Sequence, residues 1–150
     1  MILVDTSVWI DFFNRVDSAE ATYLRTCIVD AHPLVLPGLV LTEILQGLRS
    51  DGDVERVASV LSAFDATPEL DLTDYRQAAD IYRGCRAQGF TVRSTIDCLI
   101  AQLCLRHGYE LLAKDRDFEA IGRVFPLQRA ASTSMVHDRP RIKGAKETQP

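Results

Sequence analysis

The chain alternates short, uninterrupted apolar runs with longer stretches of helical period. ILV at 2–4, PLVLPG at 33–38 and YELLAKD at 109–115 read as strands. Each is apolar without alternation, as expected of a strand covered on both faces. ATPELDL at 66–72 reads as a short edge strand or extended segment, and PLQ at 126–128 as a final strand. Strands of this kind, separated by amphipathic helices, predict an α/β fold with a parallel sheet and helices on both faces.

The helices are read from their spacing and punctuation. Thr6 or Ser7 caps a short first helix with Val8, Trp9, Phe12 and Phe13 as its apolar face, broken at Asn14 and Asp17. Ser18–Val29 follows, with Ala19, Tyr23, Leu24, Cys27 and Ile28 toward the core. LVLTEILQGL is an apolar helix with Glu43 at its middle. Asp51–Phe64 carries Val54, Val57, Ala58, Val60, Leu61 and Phe64 inward. Thr73 caps a helix over 74–87, which ends near Gly89. Ser94 or Thr95 caps the next, which ends at Gly108, and RDFEAIGRVF supplies the last.

A chain of 150 residues with 47% apolar and 25% charged content suits one soluble domain. No run approaches a membrane span, and the N-terminus lacks the basic and apolar regions of a signal peptide, so a cytoplasmic location is expected. Cys27, Cys85, Cys98 and Cys104 show no zinc-ligand spacing and read as reduced, buried thiols. The net charge of −4 is uneven: the segment after Gln128 carries +3, leaving −7 on residues 1–128. That argues against a passive nucleic-acid binder with a broad basic face, but not against an enzyme with a local acidic site. The expected division is a domain over 1–130 and a basic tail over 131–150, either flexible or ordered by a partner.

Four acidic positions stand out. Asp5 ends the first strand, Glu43 lies among apolar neighbours, Asp97 falls in the first turns of its helix, and Asp115 ends the strand LLAK with Asp117 just beyond. Ligands of parallel sheets collect outside the carboxyl ends of the strands, where Asp5 and Asp115 stand. Bunched carboxylates raise one another's pKa values, and a divalent cation removes that cost. An all-oxygen donor set favours Mg²⁺ or Mn²⁺, which activates water and polarises a phosphoryl oxygen. Ordinary readings exist beside this one: a solvent-facing mid-helix Glu43, a cap at Asp97 and a polar turn at Asp115 and Asp117. A calcium loop is a weak alternative, because no twelve-residue acidic loop with a central Gly is present.

The segments MILVDTSVWIDFF, VLTEILQG, STIDCLIAQLCLRHGYELLAKDRDF and FEAIG resemble the PIN-domain family, and within it the VapC ribonuclease toxins of type II toxin–antitoxin modules. The resemblance runs from Met1 to about Gln128. It implies a three-layer α/β/α PIN-like sandwich with a central, mainly parallel sheet. It implies a Mg²⁺-dependent endoribonuclease, with Mn²⁺ as the alternative ion, that cleaves structured RNA such as tRNA or rRNA and leaves 5′-phosphate and 3′-hydroxyl ends. The family's acids fall on Asp5, Glu43, Asp97 and the KDRDF segment, where Asp115 is the first choice and Asp117 the second. Asp5, Asp97 and Asp115 are the implied metal ligands, with Glu43 binding directly or through water. Many relatives carry Thr or Asn where this chain has Lys114.

The resemblance also implies a VapB-like antitoxin partner, a homodimer within larger toxin–antitoxin complexes, no membrane contact, and promoter DNA bound only through the antitoxin. Thr6 and Ser7 either orient a carboxylate and bind phosphate or serve as helix caps. Arg93 and Arg116 either meet RNA phosphates or are solvated. Trp9, Phe12 and Phe13 fit packing better than base stacking. Two rival functions are a binding module that keeps its acids for stability or inhibitor docking, and a general DNA or RNA processing nuclease.

Overall fold

The computed structural model describes residues 1–130. The expected basic tail over 131–150 lies outside the described residues. Four parallel strands, β1 (Ile2–Val4), β2 (Leu34–Leu36), β3 (Asp65–Ala66) and β4 (Glu110–Leu112), form a sheet in the order β3-β2-β1-β4. The apolar runs at 2–4 and 34–36 are fully buried, as two-sided cover requires. β3 is exposed at the sheet edge and starts one residue before the predicted extended segment. The PLQ segment returns beside β4: Leu111 N–H donates to Gln128 O and Ala130 N–H to Leu111 O, both at 2.9 Å, with a parallel bridge at Arg129.

Among the described residues seven helices connect and follow the strands: α1 (Thr6–Phe13), α2 (Ala19–Val29), α3 (Gly38–Gln46), α4 (Asp51–Leu61), α5 (Leu72–Ala87), α6 (Thr95–His107) and α7 (Arg116–Val124). The path from β1 to β2 to β3 advances in one direction across the sheet. The path from β3 to β4 crosses back over it. Right-handed crossovers therefore place α1–α4 on one face and α5–α7 on the other. Contacts agree: α1 packs on α2 and α3, α3 on α4, and α5, α6 and α7 on one another. The result is the predicted three-layer α/β/α sandwich.

The core runs along both sides of β1. Leu3, Val4, Val8, Trp9, Leu24, Ile100, Leu111 and Phe118 are wholly or almost wholly buried. Trp9 packs against Phe12, Phe13 and Phe64 with ring centroids 5.2–5.9 Å apart. It is a core residue rather than a base-stacking platform. All four cysteines are buried and unbridged, as expected. α6 is the most enclosed helix, buried continuously from Asp97 to Cys104. Gly108 closes it in the left-handed conformation at φ 69°, where a side chain would be strained.

Several local expectations are corrected. The cap of α1 is Asp5, which accepts from Ser7 N–H, and neither Thr6 nor Ser7 holds that place. The cap of α5 is Asp71, not Thr73. Asp71 and Asp74 form a reciprocal capping box, and the helix starts two residues earlier than predicted. Ala19 and Val60 face solvent, and the buried residues of α2 are Ala21, Leu24 and Cys27. α4 ends at Leu61 rather than at Phe64.

Candidate metal centre

The sheet order reverses at β1, whose neighbours β2 and β4 are reached by chain paths running in opposite directions. The crevice outside the carboxyl ends of β1 and β4 is thus the topological switch point, the usual ligand position of an open parallel sheet. Asp5 follows β1 and caps α1. Asp115 caps α7, three residues beyond the end of β4. Asp97 occupies the first turn of α6, whose cap residue Ser94 makes no side-chain capping bond. Three helix N-termini thus face this region, and their unpaired N–H groups offset part of the negative charge.

Asp97, Asp115 and Asp117 each offer a carboxylate oxygen, and these oxygens lie within 4.8 Å of one another. Asp97 and Asp117 are 8% and 5% exposed, and Asp115 is the most open of the three. Asp117 is anchored: its Oδ2 accepts from Arg93 N–H at 2.9 Å, and its Oδ1 lies 3.5 Å from Arg93 Nε. Asp115 Oδ1 accepts from Asp117 N–H at 2.9 Å. Asp97 Oδ2 is buried with no hydrogen-bond partner among the described residues.

A buried, unpartnered carboxylate oxygen is costly unless a proton or a cation joins it. Burial pushes the Asp97 carboxyl up to about 8, and the charges of Asp5, Asp115 and Asp117 add to the effect. Asp5 is also raised, first by burial and then by Asp115, while hydrogen bonds from Ser7 pull the other way. Each like charge in the group makes the next ionisation harder. A divalent cation would reverse this, and the donor set is all oxygen. The residues therefore fit a hard divalent ion.

Asp5 and Glu43 stand outside the close trio. Asp5 is 5% exposed, and its Oδ2 accepts from Ser7 Oγ at 2.7 Å and Ser7 N at 3.2 Å. Half-buried Glu43 reaches the same helix terminus from α3, accepting at Oε1 from Thr6 Oγ1 at 2.9 Å. Thr6 and Ser7 thus both orient carboxylates, one of the two roles open for them from sequence. Arg93 spans the rim, with a side chain 73% exposed although it touches Asp117. Arg116 opens α7 and faces solvent between Asp115 and Asp117.

Sequence reasoning missed two side chains nearby. Asp11 is nearly buried on α1 and pairs with Lys114, the residue whose role the sequence left open. The signal was present in a carboxylate set among Trp9, Phe12 and Phe13, but its partner lies 103 positions away. The other is Asp74, fully buried between α5 and α6. Gln102 Nε2 donates to it at 3.2 Å and Arg106 Nη1 at 2.6 Å. Gln102 also donates to Gln77. This network clasps the helix carrying Asp97.

Residues 2–124 match the PIN domain. A VapC ribonuclease of Mycobacterium bovis and ribonuclease VapC11 of Mycobacterium tuberculosis are each 36% identical over 132 residues, covering 87% of this chain and 98% of theirs. Among solved structures, VapBC2 from Rickettsia felis bound to a promoter DNA fragment aligns with a TM-score of 0.68 at 14% identity, covering 87% of this chain and 98% of that one. FitAcB from Neisseria gonorrhoeae aligns at 0.64 and 20% identity, covering 88% and 98%. Both structural likenesses concern the fold. No helix among the described residues is long and apolar enough to cross a membrane.

Proposed function

Because this chain belongs to the PIN-domain family and is similar to VapC toxins, we propose that it is a metal-dependent endoribonuclease toxin of a type II toxin–antitoxin module. One observation carries the catalytic reading: three carboxylates converge within 4.8 Å, and one offers a buried oxygen with no partner. A purely structural acid cluster would have its oxygens satisfied by donors, as Asp74 has.

In this reading Asp97, Asp115 and Asp5 hold the ion, with Asp117 and Glu43 beside them. Mg²⁺ or Mn²⁺, when bound, supplies Lewis-acid polarisation of the scissile phosphate and an activated water nucleophile. The chain's own residues do the placing. Ser7 fixes Asp5, Thr6 fixes Glu43, and the Arg93 N–H fixes Asp117. Arg93 and Arg116 stand on the exposed rim, where they meet RNA phosphates and compensate for the acidic body. The RNA is structured, of tRNA or rRNA type. The inhibitor is a VapB-like antitoxin, which also carries the promoter-DNA contact, and the toxin acts as a homodimer in the cytoplasm.

The test is end-sequencing of total bacterial RNA after brief induction of the wild type and of Asp5→Asn. The substitution preserves volume and removes a charge, so circular dichroism should be unchanged. A discrete cleavage site is expected with the wild type alone. Identical RNA ends from two well-expressed, folded proteins would refute the ribonuclease assignment.

A further inference from the structure

The two chain segments that carry the acids are joined by backbone only at their base. β1 and β4 pair as far as Val4 and Leu112, and Asp5 N–H donates to Leu112 O at 2.9 Å. Beyond that point the chains diverge into α1 and α7. Among the described residues no backbone–backbone hydrogen bond links α1 to residues 113–117. Both junctions carry carboxylates, Asp5 on one side and Asp115 and Asp117 on the other, and like charges repel. Something other than the sheet must hold the junctions in register.

Lys114 makes that connection. Ser7 and Asp11 lie four residues apart, on one face of α1. Lys114 reaches both: its N–H lies 3.5 Å from Ser7 Oγ, and its Nζ lies 2.5 Å from Asp11 Oδ2. The first contact is long and weak, so the ion pair is the principal tie. Only the Asp11 end is sheltered: its side chain is 12% exposed and that of Lys114 37%, so solvent screens the pair in part and its role is geometric more than energetic. The ammonium is committed to Asp11 and is not aimed at the acid trio. Lys114 is the immediate neighbour of Asp115, and Ser7 is the residue bonded to Asp5. A shift of this strap would move both metal-facing segments.

We infer that the Asp11–Lys114 ion pair is a positioning device that sets the spacing of Asp115 and Asp117 against Asp5. The inference rests on the metal-site reading above. Neither residue of the pair belongs to the carboxylate trio.

The test is Mn²⁺ binding to the full-length protein by titration and electron paramagnetic resonance, with folding followed by circular dichroism. Wild type is compared with Lys114→Met, Asp11→Asn, the double variant and Lys114→Arg. Loss of a partner that orients a ligand-bearing segment should weaken Mn²⁺ binding about tenfold in each single variant. The double variant should be no worse than either single one, and Lys114→Arg should bind Mn²⁺ close to wild type. The sign is diagnostic. Simple charge predicts that removing a lysine beside an acidic site tightens cation binding, whereas a positioning role predicts weakening. Equal or tighter Mn²⁺ binding by folded Lys114→Met would overturn the inference while leaving the metal site standing. A raised KM for RNA with unchanged Mn²⁺ affinity would overturn it in favour of direct substrate contact. Wild type that binds no Mn²⁺ would overturn the metal-site reading and this inference with it.

Discussion

Replacing Asp97 by Asn should stabilise the metal-free protein while abolishing its function. The carboxyl rises from 3.8 to about 8 on folding, chiefly through burial and then through three neighbouring carboxylates. Below pH ~4 the group is protonated in both folded and unfolded states and costs nothing. Between pH ~4 and ~8 the unfolded chain releases the proton that the folded chain retains, so stability falls by about 1.4 kcal/mol per pH unit. At pH 7, about three units above the ordinary value, the upper bound is about 4 kcal/mol. Local relaxation and water entry reduce the amount realised to about 1–3 kcal/mol. Asn keeps the shape, removes the charge, and has an amide that can donate to the neighbouring carboxylates. Urea unfolding in EDTA should therefore show Asp97→Asn more stable than wild type at pH 8, with the gap narrowing toward pH 4. Saturating Mn²⁺ should reverse the order, since a ligand at a hundred times its Kd adds about 2.7 kcal/mol to the form that binds it. The affinity of wild type for Mn²⁺ should rise with pH up to about 8, as Asp97 loses its proton. A variant no more stable than wild type at pH 8 in EDTA, or equally stabilised at pH 5 and pH 8, would refute the assignment of Asp97 as a buried carboxyl whose ionisation is uncompensated.

Two further outcomes follow from hydrogen bonds. Thr6→Val removes the 2.9 Å donor to Glu43 but leaves Asp5 as the cap of α1. RNA cleavage should fall by about 10–100-fold with stability changed by about 1 kcal/mol, measured by cleavage kinetics and thermal melts. Asp74→Ala removes the return half of the α5 capping box, one of the two acceptors of the Gln102 amide and the buried partner of Arg106, so a loss of about 1–3 kcal/mol is expected in urea unfolding at pH 7. The backbone bond from Asp71, with help from Gln102 and Arg106, holds Asp74 below the usual carboxylate range. Its stabilisation is therefore present at neutral pH and lost as acid titrates it, and the gap between wild type and variant should close below pH ~4. Cleavage per folded molecule should be little changed.

The sequence by itself determined the kind of fold and singled out the acids that the proposed site uses. Uninterrupted apolar triplets such as ILV and LVL belong in strands covered on both faces, and amphipathic stretches between them make those strands parallel. Asp5 and Asp115 were legible because a carboxylate at the end of such a strand meets the ligand edge of the sheet. Helix starts were less legible. Asp5 and Asp71 displaced the hydroxyl residues expected as caps, because Asp, Ser and Thr satisfy the same orphan N–H groups and local sequence ranks them too closely. Only tertiary structure decided how the acids share the site. It gathered Asp97, Asp115 and Asp117, left Asp97 with an unsatisfied oxygen, gave Glu43 to Thr6, and set Lys114 on Asp11. The distances and burial of those groups depend on how strands and helices pack across nearly the whole chain. Pairing energies at such separations follow from the enclosed geometry, which no local sequence pattern encodes.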